Sequence, residues 1–186
     1  CVKDSGYQLP AERAAGKKAV LLSDDDSFGT RDYGRLLEAQ GFWVSYADTV
    51  EKALDTARSF RHFEAVVIDI RMPHGDFFDS FETVGGYKTG VCLAGELINH
   101  LPDAVFVALT NSRDADDQAW FEAHEGFEFC WKGDTPATKF AKYLRRILMK
   151  QKPRVFIVHG QDHQALLDLK NYLQNVLKFD EPVILH

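Results

Sequence analysis

Short apolar runs alternate with longer stretches of helical periodicity along most of the chain. The most telling run is Ala65-Val66-Val67-Ile68, which ends on Asp69 and is followed by Ile70-Arg71-Met72-Pro73. A β-branched run bounded by turn signals predicts a strand buried on both faces, as in a parallel sheet. Asp69 then stands at the strand's C-terminal end, where open α/β sheets place their chemistry. A carboxylate is costly to bury there unless something pairs with it. Its partners are therefore to be sought at the ends of the other strands.

Read in order, residues 1–16 are a polar, Ala/Gly-rich lead-in. Ala19 to Ser23 is the first strand and runs into Asp24-Asp25-Asp26. Ser27 to Gln40 predicts a helix closed by Gly41, and Phe42 to Tyr46 the second strand. Asp48 and Glu51 resemble a capping box ahead of a helix whose inner face is Val50, Ala53, Leu54 and Ala57. The strand ending at Asp69 is the third. From His74 to Gly90 the periodicity fails: Gly75, Gly85, Gly86 and Gly90 mark a long loop, with Phe77, Phe78 and Phe81 as its anchors.

A helix resumes over Val91 to Asn99, and Val105 to Leu109 is a strand ending in Thr110. A helix from about Asp114 to His124 stops at Gly126, and Glu128 to Trp131 is a strand ending in Lys132. Thr135-Pro136 reads as an N-cap with proline in the first helical position of a helix reaching about Lys150. Five strands alternating with helices predict an α/β, doubly wound, five-stranded parallel sheet with right-handed crossovers. Beyond Gln151-Lys152-Pro153 lies a C-terminal βαβ extension, from Arg154 to Leu185, too small to bury a core of its own. The expected organisation is a lead-in (1–16), a main domain (17–150) and this extension (153–186).

Composition narrows the class. The chain has 186 residues, 45% hydrophobic and 27% charged, as ordinary globular proteins do. A net charge of -6 argues against nucleic acid or an anionic membrane as partners. Cys1, Cys92 and Cys130 are odd in number and form no CxxC pair, which predicts a reducing, cytoplasmic setting. No apolar run reaches membrane-spanning length. The chain opens on cysteine, as an excised piece of a longer protein would.

Asp24, Asp25, Asp69, Thr110 and Lys132 each fall at a predicted strand end, so a parallel sheet brings them to one rim. Three carboxylates there repel one another unless a cation intervenes. A carboxylate site that also admits phosphate oxygens suits magnesium. Lys132 supplies a point charge and Thr110 a hydroxyl donor. These are the parts of phosphoryl transfer to a carboxylate nucleophile.

Residues 18–150 resemble a response-regulator receiver domain of two-component signalling, which has a flavodoxin-like fold. The resemblance rests on Leu22 to Asp26, Val67 to Pro73, Ala108 to Thr110 and Cys130 to Lys132. Asp69 follows Asp24 by 45 positions, and Lys132 follows Thr110 by 22. It implies that Asp69 is the phosphoacceptor, that Asp24, Asp25 and the Arg71 carbonyl join it in holding magnesium, and that Lys132 contacts the phosphoryl group. Thr110 and Phe129 take the switch positions. The implied donor is a histidine kinase or phosphotransfer protein, the role regulatory and not enzymatic, with homodimerisation one form of output. Three features depart from the pattern: Gly133 replaces a proline, Asn111 a small residue, and the His74–Thr89 loop is long. That loop gates the site, contacts a partner, or is a tolerated insertion.

The extension resembles the first βαβ of a TIR-like, predicted nucleotide-binding domain. The resemblance places His159 and Gly160 on a nucleotide pocket and the catalytic acid further downstream, so no nucleotide hydrolysis is expected here. The His159/His163 pair lacks a third ligand for a metal. A phosphate-independent receiver-like scaffold is the alternative reading. An aspartyl phosphatase is disfavoured because Arg71 stands where a second aspartate is wanted.

Overall fold

The structure, a computed structural model, describes residues 16–150, 156–158, 163–176 and 183–185. Five strands, β1 (Ala19–Ser23), β2 (Trp43–Ala47), β3 (Phe63–Ile68), β4 (Val105–Thr110) and β5 (Phe127–Trp131), form one sheet in the order β2-β1-β3-β4-β5. Every neighbouring pair is parallel. The connecting helices are α1 (Arg31–Ala39), α2 (Val50–Ser59), α3 (Thr89–Leu97) and α4 (Ala115–Glu122), and α5 (Ala137–Lys150) follows β5. This is the expected doubly wound α/β sheet, with the flavodoxin-like strand order.

Burial follows the sequence pattern. The central strands β1 and β4 are buried along their whole length, whereas the edge strands β2 and β5 mix buried and half-buried positions. Leu21, Val66, Ile68 and Phe106 meet Leu54 of α2, Leu93 and Leu97 of α3 and Phe121 of α4 in one core. Phe106 stacks on Phe127 at 4.6 Å between ring centroids, which ties β5 to that core.

Four helix starts differ from the sequence reading, α3 among them, which opens at Thr89 and not at Val91. Helix α1 begins at Arg31, because Ser27 to Thr30 form a turn in which Asp26 Oδ1 accepts the Gly29 N–H at 2.9 Å. The capping box at α2 is absent. Thr49 is the N-cap and accepts from the Lys52 N–H, while Glu51 turns away to the loop after β3. At α5 the Pro136 carbonyl accepts the Phe140 N–H at 3.0 Å, so the first helical bond starts one residue later than predicted. The Thr135 carbonyl instead accepts from Tyr33 Oη.

The chain divides into two compact units, one ending at Arg145 and the other beginning at Arg146. In the second, β6 (Phe156–Val158) pairs in parallel with β7 (Val183–Leu185). Between them lie α6 (His163–Asn171) and a π-helical turn (Tyr172–Val176), as the βαβ pattern predicts. Ile157, Leu166 and Leu173 form its small core. Among the described residues no helix is long and apolar enough to cross a membrane.

Candidate functional site

The register carries the candidate residues to one rim. Ser23 is level with Ile68, and Ile68 with Ala108. Asp24 and Asp69 are thus the first residues beyond adjacent strands, and the Asp69 N–H donates to the Ser23 carbonyl at 2.9 Å. On the other side, the Lys132 N–H donates to the Thr110 carbonyl at 2.8 Å.

Asp69 is buried and fully engaged. Its Oδ1 accepts from Thr110 Oγ1 at 2.7 Å and from the Arg71 N–H at 3.2 Å, and its Oδ2 accepts from Lys132 Nζ at 2.7 Å. The same ammonium donates to Asp24 Oδ2, also at 2.7 Å, while Asp24 Oδ1 accepts the Asp26 N–H. One cation therefore serves two buried carboxylates. Burial pushes the Asp24 carboxyl up to about 6, against the pull of Lys132 and with the repulsion of Asp69 adding to it. Burial alone would lower Lys132, but Asp69 and Asp24 together raise it above the ordinary lysine range.

The expectation of three gathered carboxylates needs correction. Asp25 is exposed and joins neither Asp24 nor Asp69 around Lys132. Among the described residues no group of three His, Cys, Asp or Glu side chains is placed to hold a metal. The cation that relieves the repulsion is the Lys132 ammonium. Two carboxylates, Asp24 and Asp69, converge on a single positive charge, and carboxylate oxygens are the ligands a hard divalent ion takes. Asp25 also lines an open cavity of about 500 Å³ with Arg71, His74, Gly86 and Tyr87, next to the rim.

Phe129 packs edge-on against Phe121 at 6.3 Å and is half-buried at the core. Cys130 is buried, and its thiol is pushed up to about 11 by that burial. Of the loop aromatics, Phe78 packs on the core but Phe81 is 91% exposed, so Phe81 is no anchor. Within the loop Thr83 is buried, as is Thr89 at its end. His124 Nδ1 lies 2.7 Å from the Trp120 carbonyl. His159 and Gly160 lie outside the described residues, as do Cys1 and nearly all of the lead-in.

Two features escaped the sequence reading. Gly90, in the first turn of α3, lies so close to β3 that a Cβ there would collide with the Asp69 carbonyl oxygen and lie 2.6 Å from Ile70 Cα. A hydrogen-bonded chain also leaves the site through the β4–α4 loop. The Ser112 N–H donates to Thr110 Oγ1, Ser112 Oγ donates to Asp117 Oδ2 at 2.8 Å, and Lys88 Nζ donates to Asp117 Oδ1 at 3.0 Å. Asp117 is buried, which no helix-face pattern would assign to an aspartate. The substitution of glycine for proline after Lys132 also has a local reason. A Cβ at Gly133 would lie 2.5 Å from the Trp131 indole, over which the Arg113 guanidinium stacks at 3.7 Å.

No family model matches the chain. It is 30% identical over 119 residues to the acid tolerance regulatory protein ActR of Rhizobium meliloti (strain 1021) and, equally, to ActR of Sinorhizobium medicae (strain WSM419). The match takes in 60% of this chain and 61% of each relative, so the chain spans about three fifths of the length of these curated relatives. Among solved structures, it is similar to a CheY-like response regulator receiver domain protein from Methanospirillum hungatei JF-1. That likeness has a TM-score of 0.59 at 18% identity, over 72% of this chain and 95% of that one. The non-phosphorylated HemR receiver domain from Leptospira biflexa gives 0.57 at 24% identity, over 74% and 99%. A Burkholderia pseudomallei response regulator with a phosphorylated aspartic acid, calcium ion and citrate gives 0.51 at 20%, over 83% and 86%. The fold is that of response-regulator receiver domains.

Proposed function

We propose that residues 17–150 form a signalling receiver that accepts a phosphoryl group on Asp69 from a histidine kinase or phosphotransfer protein. The observation that carries this reading is the triple engagement of the Asp69 carboxylate by Thr110 Oγ1, Lys132 Nζ and the Arg71 N–H. In the reaction an Asp69 oxygen forms a bond to phosphorus while the bond from phosphorus to the donor's imidazole nitrogen breaks. The product is an acyl phosphate with roughly -1.5 to -2 of charge at the rim. Lys132 neutralises part of that charge, and the Thr110 hydroxyl turns to donate to a phosphoryl oxygen. Phe129 follows Thr110 into the space it leaves, which alters the surface of the last helices. Magnesium, held by Asp24, Asp25, Asp69 and the Arg71 carbonyl, would supply charge neutralisation during transfer.

The β6–α6–β7 unit would be the start of a TIR-like domain that receives the signal. Incubation with acetyl phosphate and magnesium should add one labile phosphoryl group to the wild-type chain by intact mass, and none to Asp69→Asn. Equal uptake by both would remove Asp69 from the role.

A second reading, a receiver-like scaffold that works without phosphate, draws support from Lys132 already bridging Asp24 and Asp69. It predicts no phosphoryl adduct and no affinity for magnesium.

A further inference from the structure

The segment between Pro73 and Lys88 breaks local rules that the sheet and its helices keep. It exposes Phe81 at 91%, Tyr87 at 60%, Val84 at 55% and Phe77 at 43%. Exposed hydrophobics scattered singly are ordinary, but several on one short segment mark a contact surface. Val84 has a φ of +52°, the left-handed region that a β-branched residue enters only against its own sterics. Burial of its side chain does not compensate for that strain.

The backbone around Val84 is nevertheless held. The Gly85 N–H donates to the Ser80 carbonyl at 2.7 Å, the Lys88 N–H to the Thr83 carbonyl at 2.9 Å, and Thr83 is wholly buried. At the start of the segment, the Asp76 and Phe77 N–H groups both donate to Glu51 Oε1. The backbone that presents the apolar side chains is therefore set, which lowers the ordering cost of binding.

The charges specify the occupant. Asp76, Asp79 and Glu82 lie in this segment; its flanking cations, Arg58 over the Phe77 ring at 6.0 Å and Arg71 over the Tyr87 ring at 5.3 Å, do not line the cavity between Glu82 and Glu96. Phe77, Phe78, Glu82, Cys92, Gly95 and Glu96 line a cavity of about 470 Å³. Aromatic walls carrying two carboxylates suit a side chain with an apolar stem and a cationic head. A second copy of the chain would set these acids against their own counterparts, and an anionic bilayer would repel them.

We infer that residues 74–88, with the adjoining face of α3, form a docking surface for a basic, apolar segment of a partner protein. A Lys or Arg of that segment enters the Phe77–Phe78 cavity, and its apolar neighbours cover Phe81, Val84 and Tyr87.

The test is fluorescence anisotropy with the full chain and a labelled synthetic amphipathic peptide of Lys and Leu. Lys/Ser and Glu/Leu peptides of equal length serve as comparisons. The Lys/Leu peptide should bind at least about tenfold more tightly than either. Phe81→Ser with Val84→Gly, and separately Glu82→Lys with Glu96→Lys, should each weaken it by a similar factor while circular dichroism and the urea midpoint hold. Equal binding by these variants, or by the Lys/Ser or Glu/Leu peptide, would overturn the proposal. So would dimerisation in sedimentation, or adsorption to phosphatidylserine vesicles, that Phe81→Ser abolishes.

Discussion

The Ser112 main-chain N–H donates to the Thr110 hydroxyl oxygen at 3.1 Å, the same oxygen whose proton goes to Asp69. The Thr110 hydroxyl is thereby held from both sides. Any rotation of Thr110 toward a phosphoryl group at Asp69 withdraws an acceptor from Ser112. From Ser112 Oγ the hydrogen-bonded chain continues through Asp117 to Lys88, where the loop after β3 rejoins the fold.

Lys88→Met strips the buried Asp117 carboxylate of its ammonium partner. With Lys88 partly exposed, the expected loss is about 2 kcal/mol, below the full cost of breaking a wholly buried pair. Asp117→Asn in the Lys88→Met background should recover part of it. Urea unfolding of the two single variants and the double variant gives the coupling directly.

Asp24 makes stability depend on pH in an unusual sense. Its carboxyl rises from 3.8 to about 6 on folding. Between those values the native state binds more protons than the unfolded chain, so this contribution to stability falls as pH rises through the window and is level above it. The expected size is up to roughly 3 kcal/mol. Asp24→Asn should flatten the urea midpoint between about pH 4 and pH 6 and raise it at pH 7.

Gly90→Ala and Gly133→Ala should separate sharply. The first sets a Cβ against the Asp69–Ile70 main chain, which cannot yield without moving α3, and should cost about 3 kcal/mol and slow phosphoryl uptake at Asp69. The second meets only the Trp131 ring, a side chain that can turn, and should cost about 1 kcal/mol. Chemical denaturation ranks them, and Trp131→Ala should abolish only the Gly133 effect.

Glu51 holds the start of the loop from another element. Backbone amides, its own first and those of Asp76 and Phe77 after it, keep its carboxyl below the usual carboxylate range. Glu51→Ala should speed hydrogen exchange at the Asp76 and Phe77 amides by about tenfold, for the loss of one charge-assisted interaction. Unchanged exchange at those two amides would show that the loop is positioned without it.

The strand ends were legible because apolar runs such as Val66 to Ile68 have one structural solution, and the sheet then carries Asp24, Asp69, Thr110 and Lys132 together. What was not legible depends on contacts distant in sequence. Glu51 looks like half of a capping box until Asp76 and Phe77, from beyond β3, are seen to occupy it. Asp117 looks like a surface residue in the first turn of α4 until Ser112 and Lys88 enclose it. Asp25 follows Asp24 in the motif, but alternate residues beyond a strand end face different ways, and it stays in solvent.

The bond from the Gly90 N–H to the Ile70 carbonyl, 2.9 Å long, joins the chain just before the loop to the chain just after it. Departure and return share one graft point on an otherwise closed scaffold. The entropy of such a closure grows only with the logarithm of length, about 0.6 kcal/mol for each doubling. The segment between can therefore lengthen, shorten or be exchanged in descent while the sheet beneath stays fixed. By this arithmetic it is a cassette, closed one residue beyond the buried Asp69 carboxylate.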